Sequence, residues 1–285
     1  MTELRSTNID SRTVSGFGEE WAAFDQTELD ATEYERLFES YFAIFPFNRF
    51  PADAEGFDLG CGSGRWAAGV APEVGLLHCI DPSEKALSVA RRRLRFSANV
   101  KFHLAAADSI PLPDGSQDFG YSLGVLHHIP DTARALEDCV RKLKPGAPFL
   151  VYLYYALDGR PIWYRGLWRM TDLVRRLVFR LPFQARKGVT TAIAATVYWP
   201  LARSAKLAEA AGADVSAFPL ASYRESSFYS MRTDALDRFG TRLEQRFTRS
   251  QIENMMRAAG LSDIQFSEEP PFWVACGTRT TSLNS

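Results

Sequence analysis

Cysteine is scarce in this chain, four residues among 285, and Cys61, Cys79, Cys139 and Cys276 show no C-x-x-C spacing. That excludes a disulfide framework and offers no zinc pattern, so no metal is expected and the thiols read as small apolar residues in a reducing compartment. The opening residues Met-Thr-Glu-Leu-Arg-Ser-Thr-Asn lack the apolar core of a secretion signal. Long apolar runs are missing too. The longest uncharged stretch near the centre, 188–202, is short of the roughly 20 residues that a membrane span needs, and it contains Pro200. The expected location is cytoplasmic. A net charge of −1 gives no global attraction to nucleic acid, and no nucleic-acid partner is expected. No repeat or low-complexity tract is visible.

What is present is an ordinary globular composition, 46% apolar and 24% charged. From about residue 54 apolar runs alternate with amphipathic ones, the pattern of a parallel α/β sheet. The spacing predicts strands over 55–60, 76–81, 100–104, 119–123 and 149–155. Helices are predicted from about Ser63, from Pro82-Ser83-Glu84 to about Phe96, and over 131–143 before the stop Lys144-Pro145-Gly146. A Thr-capped helix ending at Gly260 is predicted next, then two apolar segments, 262–267 and 272–278, as a closing antiparallel pair. The expected organisation is an N-terminal helical cap over 1–50, a core over 51–156, a mainly helical insertion over 157–246, and 247–285 completing the sheet.

The most informative segment is Phe57-Asp-Leu-Gly-Cys-Gly-Ser-Gly-Arg65. An acid at a strand end is followed by Gly60, Gly62 and Gly64, a turn stripped of side chains so that a ligand can lie against main-chain N–H groups. In a dinucleotide loop, G-x-G-x-x-G, the third glycine would fall on Arg65. Asp81 ends the second strand 21 residues after Gly60. It reads either as a charge at a helix N-terminus or as an acceptor for two ribose hydroxyls, since ligands sit beyond the carboxyl ends of such strands.

With Asp81, Asp108 and Gly124-Val-Leu-His-His-Ile129 in the same order, the Asp58-x-Gly60-x-Gly62-x-Gly64 loop resembles that of class I S-adenosylmethionine (SAM)-dependent methyltransferases of the small-molecule, methyltransferase-11-like type. The resemblance covers about residues 55–155. It implies a Rossmann-like, doubly wound, mostly parallel seven-stranded sheet with an antiparallel last strand, plus a helical lid inserted after the fifth strand. It implies SAM as cofactor, S-adenosylhomocysteine as product and a small-molecule acceptor methylated at oxygen or nitrogen. The cofactor would meet Asp58, Gly60, Cys61, Gly62 and Gly64, with Asp81 on the ribose. Asp108 would accept the adenine amino group, bordered by Pro82, Ser109 and Ile110, and Gly124 and Val125 would line the methionine portion. The aromatic lead-in Phe17, Trp21 and Phe24 either anchors a helix on the sheet or closes over the cofactor.

In-line methyl transfer needs a base only where the acceptor still carries a proton. Of four histidines, His127 and His128 adjoin the expected transfer face; His128 is the first candidate for the base and His127 the second. His78 and His103 lie within strands and read as packed. Some relatives carry a carboxylate after the fifth strand, where this chain has Tyr154 and Tyr155, with Asp158 further on.

In the insertion Trp163, Leu167, Met170, Val174, Leu177 and Leu181 form a helical apolar stripe. Over 161–190 six arginines and one lysine stand against the single acid Asp172. The preferred reading is a lid packed on the core or on a second subunit of a homodimer; the alternative is peripheral contact with an anionic membrane through about 161–187. Tyr155, Tyr223, Arg224, Tyr229 and Arg232 are candidates for the acceptor site, the arginines suiting an acidic acceptor. Two other functions stay open: methylation of a lipid or lipid-linked acceptor, and a SAM-binding sensor or partner subunit. RNA is disfavoured, because no Asn-Pro-Pro-Tyr-type tetrapeptide follows the fourth strand.

Overall fold

The computed structural model describes residues 8–26, 28–157, 162–215 and 218–281. It divides into two compact units, one of Met1–Ala22, Leu37–Asp158 and Leu243–Ser285, the other of Ala23–Arg36 and Gly159–Arg242. The segment expected as a single cap over 1–50 is thus shared between the units.

The first unit is built on a seven-stranded sheet in the order β3-β2-β1-β4-β5-β7-β6. The strands are β1 (Glu55–Leu59), β2 (Leu76–Asp81), β3 (Val100–Leu104), β4 (Phe119–Leu123), β5 (Pro148–Tyr152), β6 (Leu261–Phe266) and β7 (Val274–Arg279). The first five run parallel, β7 is antiparallel to β5, and β6 is antiparallel to β7. The expected doubly wound α/β fold with an antiparallel end is therefore present.

Among the described residues the α-helices are α1 (Ser11–Ala23), α2 (Ala31–Phe42), α3 (Arg65–Val70), α4 (Glu84–Arg93), α5 (Thr132–Lys142), α6 (Ile162–Val178), α7 (Phe183–Ile193), α8 (Trp199–Ala210), α9 (Phe228–Gly240) and α10 (Arg249–Ala258). Several starts follow from local chemistry. Ser83 Oγ accepts the Ala86 N–H to cap α4. Thr248 and Gln251 form a reciprocal capping box at α10.

Strand side chains alternate between two cores, as the period of two requires. Phe57, Leu59, Phe149 and Val151 enter one core with α5 and α10, while Leu77, Cys79, Tyr121 and Leu150 enter the other with α3 and α4. Phe42, Phe45 and Phe50 join the second core, Phe50 stacking on Phe119 at 4.8 Å. All four cysteines are free and buried.

Two glycines make the central strands fit. Gly56 pairs with Phe119 and Gly120 with Phe57 across β1 and β4. The ring of each phenylalanine occupies the space where the opposite glycine's Cβ would stand; a methyl at Gly120 would come within 2.5 Å of Phe57. Glycine here admits aromatic rings into both cores.

The expected fifth strand, 149–155, stops at Tyr152. Beyond it the backbone changes partner: the Phe247 N–H donates to Tyr154 O at 2.8 Å and the Ala156 N–H to Phe247 O at 3.0 Å. Tyr154 and Tyr155 therefore sit on a connection rather than on the strand. Asp158 lies outside the described residues.

The helical unit holds α7, α8, α9 and α6, with Val178, Ala194, Tyr198, Met231 and Phe239 in its core. The α6 stripe expected to pack on the core or on a second subunit is exposed in the single chain, Trp163 by 54%, Met170 by 67% and Leu177 by 66%, so of these readings packing on the core is absent. The buried side carries Asp172 and Arg175, the Arg175 Nε donating to Asp172 Oδ1 at 2.8 Å and its Nη1 to Thr241 O at 2.9 Å. Burying this pair demands that both ends be satisfied, and Thr241, just past the end of α9, supplies the carbonyl that does so.

Gly120→Ala is expected to destabilise the protein by about 1–3 kcal/mol through overpacking against Phe57. Urea denaturation measures it; a cost below about 0.5 kcal/mol would mean that the ring moves aside freely.

Candidate functional site

A cleft opens at the carboxyl ends of β1, β2 and β4 in the sheet-bearing unit, enclosing about 940 Å³ with open solvent at its mouth included. The turn after β1 forms its floor. Gly60, Gly62 and Gly64 hold φ of 77°, 54° and 73°, a region that L side chains rarely adopt. A Cβ at Gly60 would strike Val125, and one at Gly62 would stand 2.9 Å from Trp21 Nε1. Gly64 serves packing instead, bringing the start of α3 against Ala90 of α4 and Leu94 just past its end.

Asp81 ties the turn to its neighbours. Its Oδ2 accepts the Gly62 N–H at 3.0 Å and its Oδ1 the Ser83 N–H at 2.8 Å. Burial pushes its pKa up to about 6, and those two N–H groups hold it back from rising further. Asp58, 1% exposed at the end of β1, is pushed up to about 8 by burial, with the Asp81 charge adding and the Tyr121 hydroxyl offsetting part. Asp58 Oδ2 is buried with no hydrogen bond among the described residues. The Cys79 thiol and burial hold the Cys61 thiol well above its ordinary range, so it presents an inert, protonated group.

Of the residues singled out from sequence, Gly60, Cys61, Gly62, Asp81, Pro82, Gly124, Val125 and His128 line the cleft. Asp58 lies beneath its floor. The Asp108 carboxylate does not line the cleft; its Oδ2 accepts the Asn8 N–H at 3.1 Å, and the lining there comes from Ala106 and Ala107. Ser109 Oγ bonds the backbone of Ala106, and Ile110 is packed in the core.

The two adjacent histidines take different environments. His128 faces the cleft with its ring 4.8 Å from Phe17. Its Nδ1 lies 2.6 Å from Leu243 O, so Nδ1–H donates and Nε2 is the basic nitrogen of the neutral ring. His127 is fully buried and stacks on Tyr154 at 3.8 Å. Burial, with His128 and Arg246 nearby, drives its pKa well below the usual histidine range, keeping it neutral. Tyr155 lies away from the cleft, its ring 5.5 Å from Trp273.

The candidates in the helical unit serve contacts of that unit. Arg224 Nε donates to Glu209 Oε2 at 2.7 Å, and Tyr223 packs on Tyr198 at 5.4 Å. The Tyr229 hydroxyl accepts the Gln26 N–H at 2.9 Å, and the Arg232 guanidinium lies 4.8 Å above Phe24.

Sequence reasoning missed Asn8, Asp10, Thr13, Arg65 and Trp66 as lining residues. Asn8 clamps the lead-in: its Nδ2 donates to Asp131 O at 2.9 Å and its Oδ1 accepts the Asp131 N–H at 2.8 Å. Phe17 and Trp21 follow on α1 at helical spacing, and that aromatic spacing was the one signal available. Arg65, noticed only as a missing glycine, lines the cleft with its guanidinium 4.2 Å above Trp66.

Residues 57–151 match the family described as a methyltransferase domain. The chain is 30% identical over 186 residues to 27-O-demethylrifamycin SV methyltransferase of Amycolatopsis mediterranei, covering 63% of this chain and 64% of that one. It is 33% identical over 111 residues to phosphoethanolamine N-methyltransferase 2 of Caenorhabditis elegans, covering 38% of this chain and 25% of that one. It is also 38% identical over 91 residues to a ubiquinone biosynthesis O-methyltransferase of Thiobacillus denitrificans, of which it spans 39%. In fold it is similar to a chain of the complex between the Haloferax volcanii Trm112 methyltransferase activator and a methyltransferase, at 15% identity and a TM-score of 0.51 over 93% of this chain and 97% of that one. The chain spans less than two thirds of the length of each of these curated relatives. With the strand order, the glycine turn and the acid ending β2, the matches make residues 57–151 a methyltransferase domain similar to those of class I SAM-dependent methyltransferases.

Proposed function

We propose that this protein methylates a small-molecule acceptor at oxygen or nitrogen. The observation that carries the reading is the cleft itself, where two buried acids and one arginine converge on a side-chain-free turn. SAM, when bound, supplies a methyl group activated on a sulfonium. Asp81 accepts from the ribose hydroxyls: each of its oxygens already holds one backbone N–H and keeps a lone pair free for a second donor. Asp58 receives the ammonium of the methionine portion, which supplies its buried Oδ2 with a donor and its carboxylate with a counter-charge. Arg65, which also lines the cleft, would hold the carboxylate borne by the same carbon as that ammonium. The open space at Gly124, where an added Cβ would meet only Tyr152 at 3.9 Å, admits close approach to the backbone.

His128 is the base for a proton-bearing acceptor. The Leu243 carbonyl fixes its tautomer, and Phe17 fixes its ring. His127 and Tyr154 act as a stacked buttress behind it. Positioning supplies the remainder, since in-line attack rewards orientation more than proton transfer. O- and N-methylating relatives both support the acceptor class. The insertion, 157–246, is left to select the acceptor. A lipid-linked acceptor is the second reading, favoured by the exposed apolar side of α6.

Asp81→Ala is expected to weaken SAM binding by about tenfold or more in calorimetry, as loss of a charged hydrogen-bonding group does. An unchanged dissociation constant would overturn the ribose assignment.

The acids also set a pH dependence. SAM binds their charged forms, so affinity is full above about 8, falls as Asp58 protonates below that value, and falls again below about 6 as Asp81 protonates. Binding at pH 7 should release a proton, read as a buffer-dependent calorimetric enthalpy that Asp58→Asn abolishes. A buffer-independent enthalpy in the parent protein contradicts it.

His128→Ala is expected to leave SAM affinity nearly intact while slowing turnover of a hydroxyl acceptor by about 10²–10⁴-fold. Parent-like turnover of such an acceptor would remove His128 as base.

A further inference from the structure

We propose that the outward side of α6 docks the protein on an anionic lipid bilayer. At about 100° per residue, Ile162–Val178 sorts into three sectors. The inward sector carries Trp168, Asp172, Arg175 and Val178. The outward sector carries Trp163, Met170, Leu173 and Leu177, exposed by 54%, 67%, 63% and 66%. Between them, along one border of the apolar sector, run the exposed Arg165, Arg169, Arg176 and, just past the helix end, Arg180.

The rotation of the helix is fixed from inside. Arg175 bonds Asp172 and the carbonyls of Thr241 and Arg242, and the Arg238 guanidinium lies 5.1 Å above Trp168. Turning the apolar stripe inward would break these bonds and leave a buried charge unpaired, which is strongly unfavourable. The stripe is therefore held toward water, and a contiguous exposed apolar surface of this kind marks an interaction face.

The charge pattern selects the occupant. Over 161–190 six arginines and one lysine face a single acid, Asp172, and that acid is already shared by Arg175 and Arg176. A row of guanidiniums beside a Trp- and Leu-bearing stripe complements a layer of lipid phosphates over acyl chains, with the arginine stems lying along the boundary. None of the helices among the described residues is long and apolar enough to cross a membrane, so the contact lies in the plane of the surface. The docking face lies on α6 and is independent of the reaction and the acceptor.

The test is co-sedimentation of the full chain with vesicles of phosphatidylcholine alone and with about 30% phosphatidylglycerol added, at low and high salt. Binding to the anionic vesicles is expected, weakened by salt. The partition coefficient should drop about tenfold or more in Leu173→Glu/Leu177→Glu and again in Arg165→Ala/Arg169→Ala/Arg180→Ala. These positions are exposed, so thermal unfolding should stay at the parent value, which separates loss of docking from loss of fold. No sedimentation with either vesicle, or sedimentation indifferent to both variants, overturns the proposal. So does a parent dimer that the leucine variant converts to monomer in size-exclusion chromatography, because the stripe then belongs to a second copy.

Discussion

The Asp81 carboxylate bonding the Gly62 and Ser83 N–H groups is the constraint around which the first unit is arranged. One side chain ties the end of β2 to the turn after β1 and to the start of α4. It adds to the backbone bonds from Gly60 and Cys61 to Ile80 O in fixing a turn of three alternate positive-φ glycines. The bonds are charge-assisted and buried, the setting in which such bonds are strongest and also costliest to leave incomplete. Asp81 and Asp58 both sit above the ordinary carboxylate range because burial opposes their charge. A cationic ligand would relieve that opposition, as the proposed contact of Asp58 with the ammonium of SAM requires.

The same economy governs the neighbouring loop. Val125 fills the space over Gly60, Gly124 leaves the backbone open, and the chain then places two histidines of opposite character side by side. His128 receives a fixed tautomer and a face on the cleft. His127 receives burial and a stacking partner. Adjacent residues on a short turn project in different directions, which gives the two rings their different surroundings.

Much of the fold was legible because its signals are local. The capping box at Thr248, the Ser83 cap, the Lys-Pro-Gly stop and the alternation of apolar residues each act within a few positions. The cofactor turn was legible for the same reason: an acid and three glycines in seven residues constrain the backbone without help from elsewhere. Asn8 and the true surroundings of Asp108 were not legible, since each depends on a partner remote in sequence; Asn8 meets residues 108 and 131. The end of β5 was missed because Tyr154 finds Phe247 as a backbone partner, a contact that no strand propensity encodes.

The sequence by itself determined the sheet, the glycine turn, the acid that ends β2 and the amphipathic character of α6, all set by near-neighbour sterics and by the periodicity of apolar residues. Only the tertiary structure decided which side of α6 faces water and which histidine faces the cleft. Periodicity shows that a helix has two unlike faces. Which one is buried depends on whether an ion pair such as Asp172–Arg175 finds backbone carbonyls to complete it, and those carbonyls come from Thr241 and Arg242, more than sixty residues away.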